Sequence, residues 1–528
     1  MTQDSQNPAA PRALAPITVR ERIEALDVIR GIALIGIFLM NVEWFTRPIA
    51  ELGTGVDVTQ TGLSYAASWF IYTFVQGKFW TMFSLLFGMG FAVMLTRSED
   101  NQRAFVTPYL RRIVGLFLFG SAHFVMLWTG DILHNYAVTA LALLLIVTRG
   151  WKAWFAILLS VAATGFASGS DSWWTTGAFL VLAALAGGLV FRTKIDRWYQ
   201  LVGILAAAIA AVVALGPTSE NMAVNAGVMG LLAVFIYFLN RGPISRFYKF
   251  GVALYLIPLV LGLGYLVGTL TVPSMKPNVT VEQQKERDER LVKRAEEIAA
   301  EKKLYTSGTY MEAVRHRAKE YSEEMPKMAE GGMLALSLFL IGFWFVRSGV
   351  MTNIRDNLAV FRRLFSWALP AGLALTLASV GLHSSYVPGH GREPTVILSR
   401  LLFELGALPL SLGYVSGLVL LMSTQWGARI LSPLRHAGRM ALTNYLGASL
   451  IASLYFFGYG LGHFGQVSRA GQVLFVAVVF GLQLVFSKLW LSYFLYGPME
   501  WLWRAITYWQ LPPMRREAQP DIAAIANA

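Results

Sequence analysis

The 528 residues contain no cysteine. That excludes a disulfide framework, a thiolate nucleophile and any cysteine-ligated metal. Charge is also scarce, with 14% of residues charged against about 25% in an average soluble domain. So little charge argues against both a disordered chain and an ordinary soluble enzyme. Acidic residues are outnumbered 31 to 44, a formal net charge of +13. In a soluble protein such an excess would suggest nucleic acid as a partner. Here the basic residues sit in short gaps between apolar blocks, where they set membrane orientation. No basic stripe with interleaved aromatics stands apart, so nucleic acid is rejected as a partner. No HxxxH or HExxH spacing occurs, and no metal site is assigned.

What the chain has in excess is apolar length, since 55% of its residues are hydrophobic. At about 1.5 Å per residue, roughly 20 apolar residues cross a bilayer's hydrocarbon core. Fourteen candidate spans follow: 27–46, 75–96, 109–129, 132–149, 153–169, 173–192, 199–216, 222–240, 250–272, 332–347, 365–383, 397–422, 440–460 and 470–492. The stretch 153–240 tolerates the loss of a pair, giving 12–14 spans, and residues 64–74 read as an interfacial lead-in to the second. Every other gap is basic: Arg97, Arg103, Arg111 and Arg112 in one, Arg429, Arg435 and Arg439 in another. The alternation places both termini in the cytoplasm. The fold class expected is therefore all-α, a polytopic membrane bundle. Its parts are a cytoplasmic tail (1–26) without a signal-peptide core, an N-terminal membrane region (27–272), a charged extracytoplasmic excursion (273–331), a C-terminal membrane region (332–510) and a second tail (511–528). The excursion mixes both charges at helical spacing, as in Glu286-Arg287-Asp288-Glu289-Arg290, and reads as a solvated helical hairpin or a partner-binding arm. The aromatic, charged run Gly497–Tyr508 is expected to lie along the inner surface.

A charge near the bilayer centre costs at least about 2.5–3.5 kcal/mol on insertion scales, so ionisable residues within spans should face the bundle interior. Asp27 and Arg30 share a helix face near the cytoplasmic end of the first span, and Asn41 and Glu43 follow near its outer end. Arg30 either snorkels and pairs with Asp27 or receives a phosphate from a cytosolic ligand. Arg439, in the inner run His436–Leu446, either anchors the chain or faces the same anion. Lys78 in the second span sits near the outer face, within reach of the headgroups. The stretch His123 to Tyr136 carries the most chemistry. Asp131 is placed to N-cap the fourth span, and His134 lies three residues on, on the same face. A carboxylate orienting an imidazole is the usual arrangement of a general base, although a capped turn with a hydrogen-bonded histidine uses the same residues. Arg400 and Glu404, four apart, either neutralise each other or wall a pocket. His383, His390 and His463 fall on the outer side, and of the seven histidines His436 alone falls on the inner.

These residues resemble the YeiB-like family of bacterial inner-membrane proteins, whose C-terminal part is a domain of unknown function numbered 418. The likeness runs through Leu26–Asn41, Lys78–Gly90, the His123–Tyr136 corner, Gly438–Leu446 with Phe457–Gly462, and Gly497–Tyr508. The apolar stretch within 153–240 looks like an addition to the family pattern. More distantly, Asp27 to Arg30-Gly31 is similar to the first span of transmembrane acyltransferases, including the heparan-alpha-glucosaminide N-acetyltransferase type. That resemblance implies an acyl group taken from cytosolic acyl-CoA and delivered across the membrane. Asn41 stands where one related acyltransferase family has a histidine, and an amide cannot act as a general base. The first outer loop also lacks the histidine of the glucosaminide enzymes, so His123 or His134 must serve.

Taken together, the expectation is acyl transfer to a hydroxyl or amine of a small-molecule or envelope-glycan acceptor outside the bacterial inner membrane. His123, His134 and Asp131 would be catalytic. Lys78, Arg400, Glu404, Asn41 and Tyr136 would bind substrate, and Arg30 and Arg439 would hold donor phosphates. No cofactor is bound, acyl-CoA being a co-substrate. Export of a small solute is the rival function, and a non-catalytic scaffold built on the charged excursion a third.

Overall fold

The computed structural model describes residues 23–52, 55–100, 104–147, 244–271, 281–324, 331–386 and 393–516. The expected spans 153–169, 173–192, 199–216 and 222–240, together with His390 and most of both tails, lie outside these residues. Each of the other ten spans coincides with a helix. α1 is Glu24–Asn41, α3 Lys78–Asp100, α4 Val106–Met126, α5 Leu133–Val147 and α6 Ser245–Thr271. After the excursion come α9 (Gly332–Arg347), α10 (Leu358–Leu382), α11 (Pro394–Met422), α13 (Ala441–Phe456) and α14 (Arg469–Tyr493). Among the described residues, six helical stretches are both long and apolar enough to cross a bilayer, and α5 and α9 are shorter apolar helices. The described residues hold no β-strand, only isolated bridges, so the chain is an all-α polytopic membrane protein.

The remaining helices fall outside the ten expected spans. α2 (Gly62–Phe70) runs through a π-turn at Ile71–Val75 toward α3, so the stretch 64–74, expected as an interfacial lead-in, is helical. α12 (Gln425–Arg439) was counted from the sequence only as a basic gap; it is an amphipathic helix N-capped by Thr424. α15 (Pro498–Tyr508) is the short helix expected at the surface.

Two central pairings organise the membrane part. α3 packs along α9 through reciprocal glycines, Gly88 against the backbone of Phe339 and Gly342 against that of Leu85. A side chain at either glycine would push the helices apart, the small-residue rule for helices in lipid. Their shared core continues into Phe87 stacked on Phe339 at 4.6 Å and Phe91 against Phe343. α1 meanwhile packs against α12, with Gly438 set against the backbone of Asp27. That contact brings the first span and the C-terminal region together at the basic end.

The excursion forms two helices, α7 (Val281–Ser307) and α8 (Tyr310–Glu324), but it is less solvated than its charge suggests. Arg317 is fully buried and donates from Nε to the Val125 carbonyl and from a terminal nitrogen to that of Met126, each at 3.0 Å. Those carbonyls end α4 and have no helical partner of their own. Tyr310 also donates to Met126, and the Tyr321 hydroxyl meets Ser121 Oγ at 2.6 Å. Glu301 on α7 accepts the Ile49 N–H, and Tyr305 stacks on Phe457 at 4.3 Å. The hairpin is therefore bolted onto the α4–α5 corner and the end of α13.

Candidate functional site

The corner between α4 and α5 turns through Thr129-Gly130 and places one carboxylate between two imidazoles. Asp131 Oδ1 accepts the Leu133 N–H at 2.8 Å, which caps α5 as the sequence led us to expect. The same oxygen accepts Nδ1–H of His134 at 3.2 Å, and Oδ2 accepts Nδ1–H of His123 at 2.6 Å. From across the bundle the Tyr445 hydroxyl of α13 donates to Oδ2 at 3.3 Å. The Asp131 side chain has no exposed surface. A buried carboxylate is tolerated only when its lone pairs are filled, and here backbone, imidazole and phenol donors fill them. Because both histidines spend Nδ1 on the carboxylate, the neutral rings leave Nε2 as the basic nitrogen. Gly120 of α4 makes the approach feasible, since a β-carbon there would collide with the backbone nitrogen of His134 and with Asp131.

A cavity of about 840 Å³ opens beside this corner. Asp131, His134, Asn135 and Tyr136 line it, with Asn41 and Trp44 from α1 and the turn after it. Its other end is lined by Arg30, Arg97, Arg112, Arg439 and Arg504. Trp80, Phe83, Leu86, Phe87 and Met94 form the apolar stretch between the two groups. The two polar clusters read separately in the sequence thus share one cavity. His123 is not on its wall; it stands behind Asp131, its ring 5.1 Å from that of Tyr445, with Nε2 buried and unpartnered.

At the arginine end four of the five guanidinium groups are held by contacts that fix their direction. Arg30 donates to Asp27 at 2.8 Å, so the expected pair forms while Arg30 still faces the cavity. Arg112 lies 3.8 Å over the ring of Trp503, whose indole N–H donates to the Arg112 carbonyl at 3.0 Å. Arg504 stacks over Tyr496, and Arg439 donates to the Leu495 carbonyl at 3.4 Å. Glu500 on α15 accepts the N–H groups of Leu442 and Thr443 and the Thr443 hydroxyl, capping α13. Burial pushes the Glu500 carboxyl up, and these hydrogen bonds oppose the shift.

Of the expected substrate-binding residues, Asn41 and Tyr136 line the cavity; the Tyr136 hydroxyl is 2.5 Å from Ser84 Oγ. Lys78, Arg400 and Glu404 are not brought to it. Lys78 does not snorkel outward; it is fully buried, with Nζ 3.6 Å over the Phe403 ring and no hydrogen-bond partner. It opens α3 on the side facing α11, where Ser411 donates to its carbonyl. Arg400 lies over Tyr386 at 4.8 Å, and Glu404, an exposed residue, receives the Tyr255 hydroxyl on its backbone carbonyl. Sequence reading missed Arg97, Arg112 and Arg504, which it counted only as orientation signals or interfacial charge. It also passed over Tyr445, whose signal was a hydroxyl-bearing ring beside Thr443 and Asn444 inside an otherwise apolar span.

Residues 345–510 match the family described as "Protein of unknown function (DUF418)". Along nearly its whole length the chain is similar to YxaH of Bacillus subtilis (strain 168), described as uncharacterized. The two are 25% identical over 525 residues, covering 96% of this chain and 99% of that protein. It is likewise similar to the uncharacterized YeiB of Escherichia coli (strain K12), 25% identical over 489 residues, 92% and 96% of the two chains. A 39.9 kDa protein from the amylase 3' region of Bacillus acidopullulyticus is 24% identical over 507 residues. The YeiB-like resemblance is therefore shown, and the stretch similar to DUF418 runs over residues 345–510.

Proposed function

We propose that this protein transfers an acyl group from acyl-CoA, bound at the arginine end, to a hydroxyl or amine acceptor bound at the Asp131–His134 end. The observation that carries the reading is one cavity with fixed arginines at one pole and a carboxylate-oriented imidazole at the other. Guanidinium groups suit phosphate, which they can bind bidentately. Four of them, Arg30, Arg112, Arg439 and Arg504, are held by neighbours and offer a phosphate-rich head a pre-formed seat. The apolar middle suits a thin pantetheine arm. With basic gaps facing the cytoplasm, the donor enters from inside and the acceptor from outside the bacterial inner membrane.

In the step itself, His134 Nε2 takes the proton of the attacking hydroxyl or amine. The acceptor oxygen or nitrogen bonds to the thioester carbonyl carbon, and the carbon–sulfur bond then breaks. The imidazolium returns the proton to the departing thiolate, giving acylated acceptor and free CoA thiol. Asp131 holds the ring in the Nδ1–H tautomer and stabilises the imidazolium. His123 and Tyr445 hold Asp131, which makes them positioning residues.

The test uses purified protein in nanodiscs with radiolabelled acetyl-CoA and an acceptor panel. Label transfer accompanied by thiol release, lost in His134→Ala, supports the reading. Transfer at full rate in both His123→Ala and His134→Ala removes the proposed base. Export of a small solute through the same cavity is the competing reading. Solute flux in proteoliposomes without acyl-CoA, and with no thiol release when it is added, would favour it.

A further inference from the structure

The cavity is divided by charge. All its arginines are at one end, while the half roofed by the hairpin carries Asp131, Glu320 and Glu323 and no lysine or arginine. Glu320 and Glu323 come from α8, which sits over the α4–α5 corner. One carboxylate oxygen of Glu320 accepts from His316 Nε2 at 3.3 Å; the other oxygen is buried and has no partner. Asn135 Oδ1, on the same wall, is likewise buried and unpartnered. Trp44 and Trp128 line this half edge to face at 6.1 Å. Trp128 is 3% exposed, and its indole N–H has no partner.

Unfilled acceptors beside carboxylates are missing hydrogen-bond donors and positive charge. Tryptophan faces attract cations, the more strongly when water is excluded. The orphaned indole N–H asks in turn for one acceptor, such as a hydroxyl. We infer that the hairpin half of the cavity binds a protonated amine that also bears a hydroxyl, and that Glu320 and Glu323 act as its charge filter. This rests on the acyl-transfer reading for the fate of the amine, but not for its binding. If that reading holds, the ammonium first gives one proton to His134 to become the nucleophile. Attack forms the nitrogen–carbon bond and breaks the carbon–sulfur bond. The nitrogen's second proton accompanies the thiolate, so the products are amide, CoA thiol and one released proton.

The test is titration calorimetry on the whole chain in nanodiscs at neutral pH, with serinol and glycerol as probes. They differ by an ammonium in place of the central hydroxyl. Serinol is expected to bind at least about tenfold more tightly than glycerol, the preference shrinking as salt screens it. In Glu320→Gln/Glu323→Gln the two probes should bind alike. Because Glu320 also pairs with His316, Glu323→Lys alone, at an exposed position, is the variant with the least risk to folding, and it should weaken serinol selectively. Equal binding of both probes to the natural chain, no detectable serinol heat, or a preference that survives both variants overturns the inference. Thiol release with glycerol and serinol alike would sink it while leaving acyl transfer standing. A calorimetric amine preference with no thiol release from any acceptor would sink transfer and leave the filter standing.

Discussion

His134 donates its Nδ1–H to Asp131, the residue that caps the helix His134 helps begin, with 3.2 Å between them. One carboxylate thus sets both where α5 starts and which way an imidazole faces. Asp131→Asn keeps the shape but replaces one acceptor oxygen with an N–H donor amid five existing donors. Loss of a tautomer-fixing carboxylate costs about 10⁴-fold in a triad enzyme. Acyl transfer by the variant should fall by about that order. Melting in detergent should drop as well, because a mismatched buried polar group costs about 1–3 kcal/mol. Activity within tenfold of the natural chain would remove Asp131 from the chemistry.

The two histidines are separable. His134 lines the cavity, whereas His123 lies behind the carboxylate. His134→Ala should abolish transfer with substrate binding retained. His123→Ala should lower the rate of turnover without changing the Michaelis constants, and should shift the pH–rate profile, since it alters the carboxylate that supports the base. A stability loss with an unchanged pH profile would make His123 purely structural.

On the donor side the expectation falls on Michaelis constants. Arg30→Gln and Arg439→Gln each remove a charge from the cavity wall. A hydrogen bond to a charged group contributes about 1.5–3 kcal/mol. The Michaelis constant for acyl-CoA should therefore rise by about tenfold or more in each, while that for the acceptor stays put. A dephosphorylated CoA analogue should be less sensitive to these substitutions. If acceptor affinity moves instead, the assignment of the two poles is reversed.

Much of this was legible because membranes enforce simple rules. Blocks of spanning length and alternating basic gaps located ten helices that the structure describes. Asp131 and His134 at helical spacing announced a capped, oriented imidazole. What stayed hidden depends on contacts distant in sequence. Arg112 is a textual match to positive-inside anchoring, and only the packing of α15 against α4 turns it toward a cavity. Lys78 looked like a snorkelling lysine because the sequence does not show that α11 covers it. The hairpin's mixed charge read as solvated, yet Arg317 is buried on the carbonyls that close α4.

Hairpin docking should respond to pH. Glu301 is pushed up to about 7, first by burial and then by Glu320 and Glu51, against the opposing pull of the Ile49 N–H and His316. Its hydrogen bond to Glu320 pushes His316 up too, burial opposing. A group raised in the docked state favours docking below its undocked value, and that contribution is lost as pH rises through the docked one. Both groups therefore give the same sign. Amide exchange in α7 and α8 should be slow at about pH 5.5 and faster at about pH 8.5, more so than in α3 or α9. Glu301→Gln should flatten the dependence. Slower exchange at the higher pH would refute the sign.

Gly438 offers a test of how the two poles are held together. Gly438, one residue before Arg439, packs against the backbone of Asp27, which is three residues before Arg30 on the facing helix. A methyl group in Gly438→Ala would overlap the Asp27 carbonyl, so α12 must move away from α1. Overpacking of this kind costs about 1–3 kcal/mol. The displacement acts on Arg30 and Arg439 together, because each sits on one of the separated helices. The Asp131 corner is carried by α4 and α5 and meets α13 through the Tyr445 hydroxyl, about two turns beyond that contact. Gly438→Ala should therefore lower the melting temperature and weaken acyl-CoA binding as much as the two arginine substitutions combined, with amine binding at the hairpin half unchanged. Parallel weakening of both ligands would mean instead that the poles move as one body.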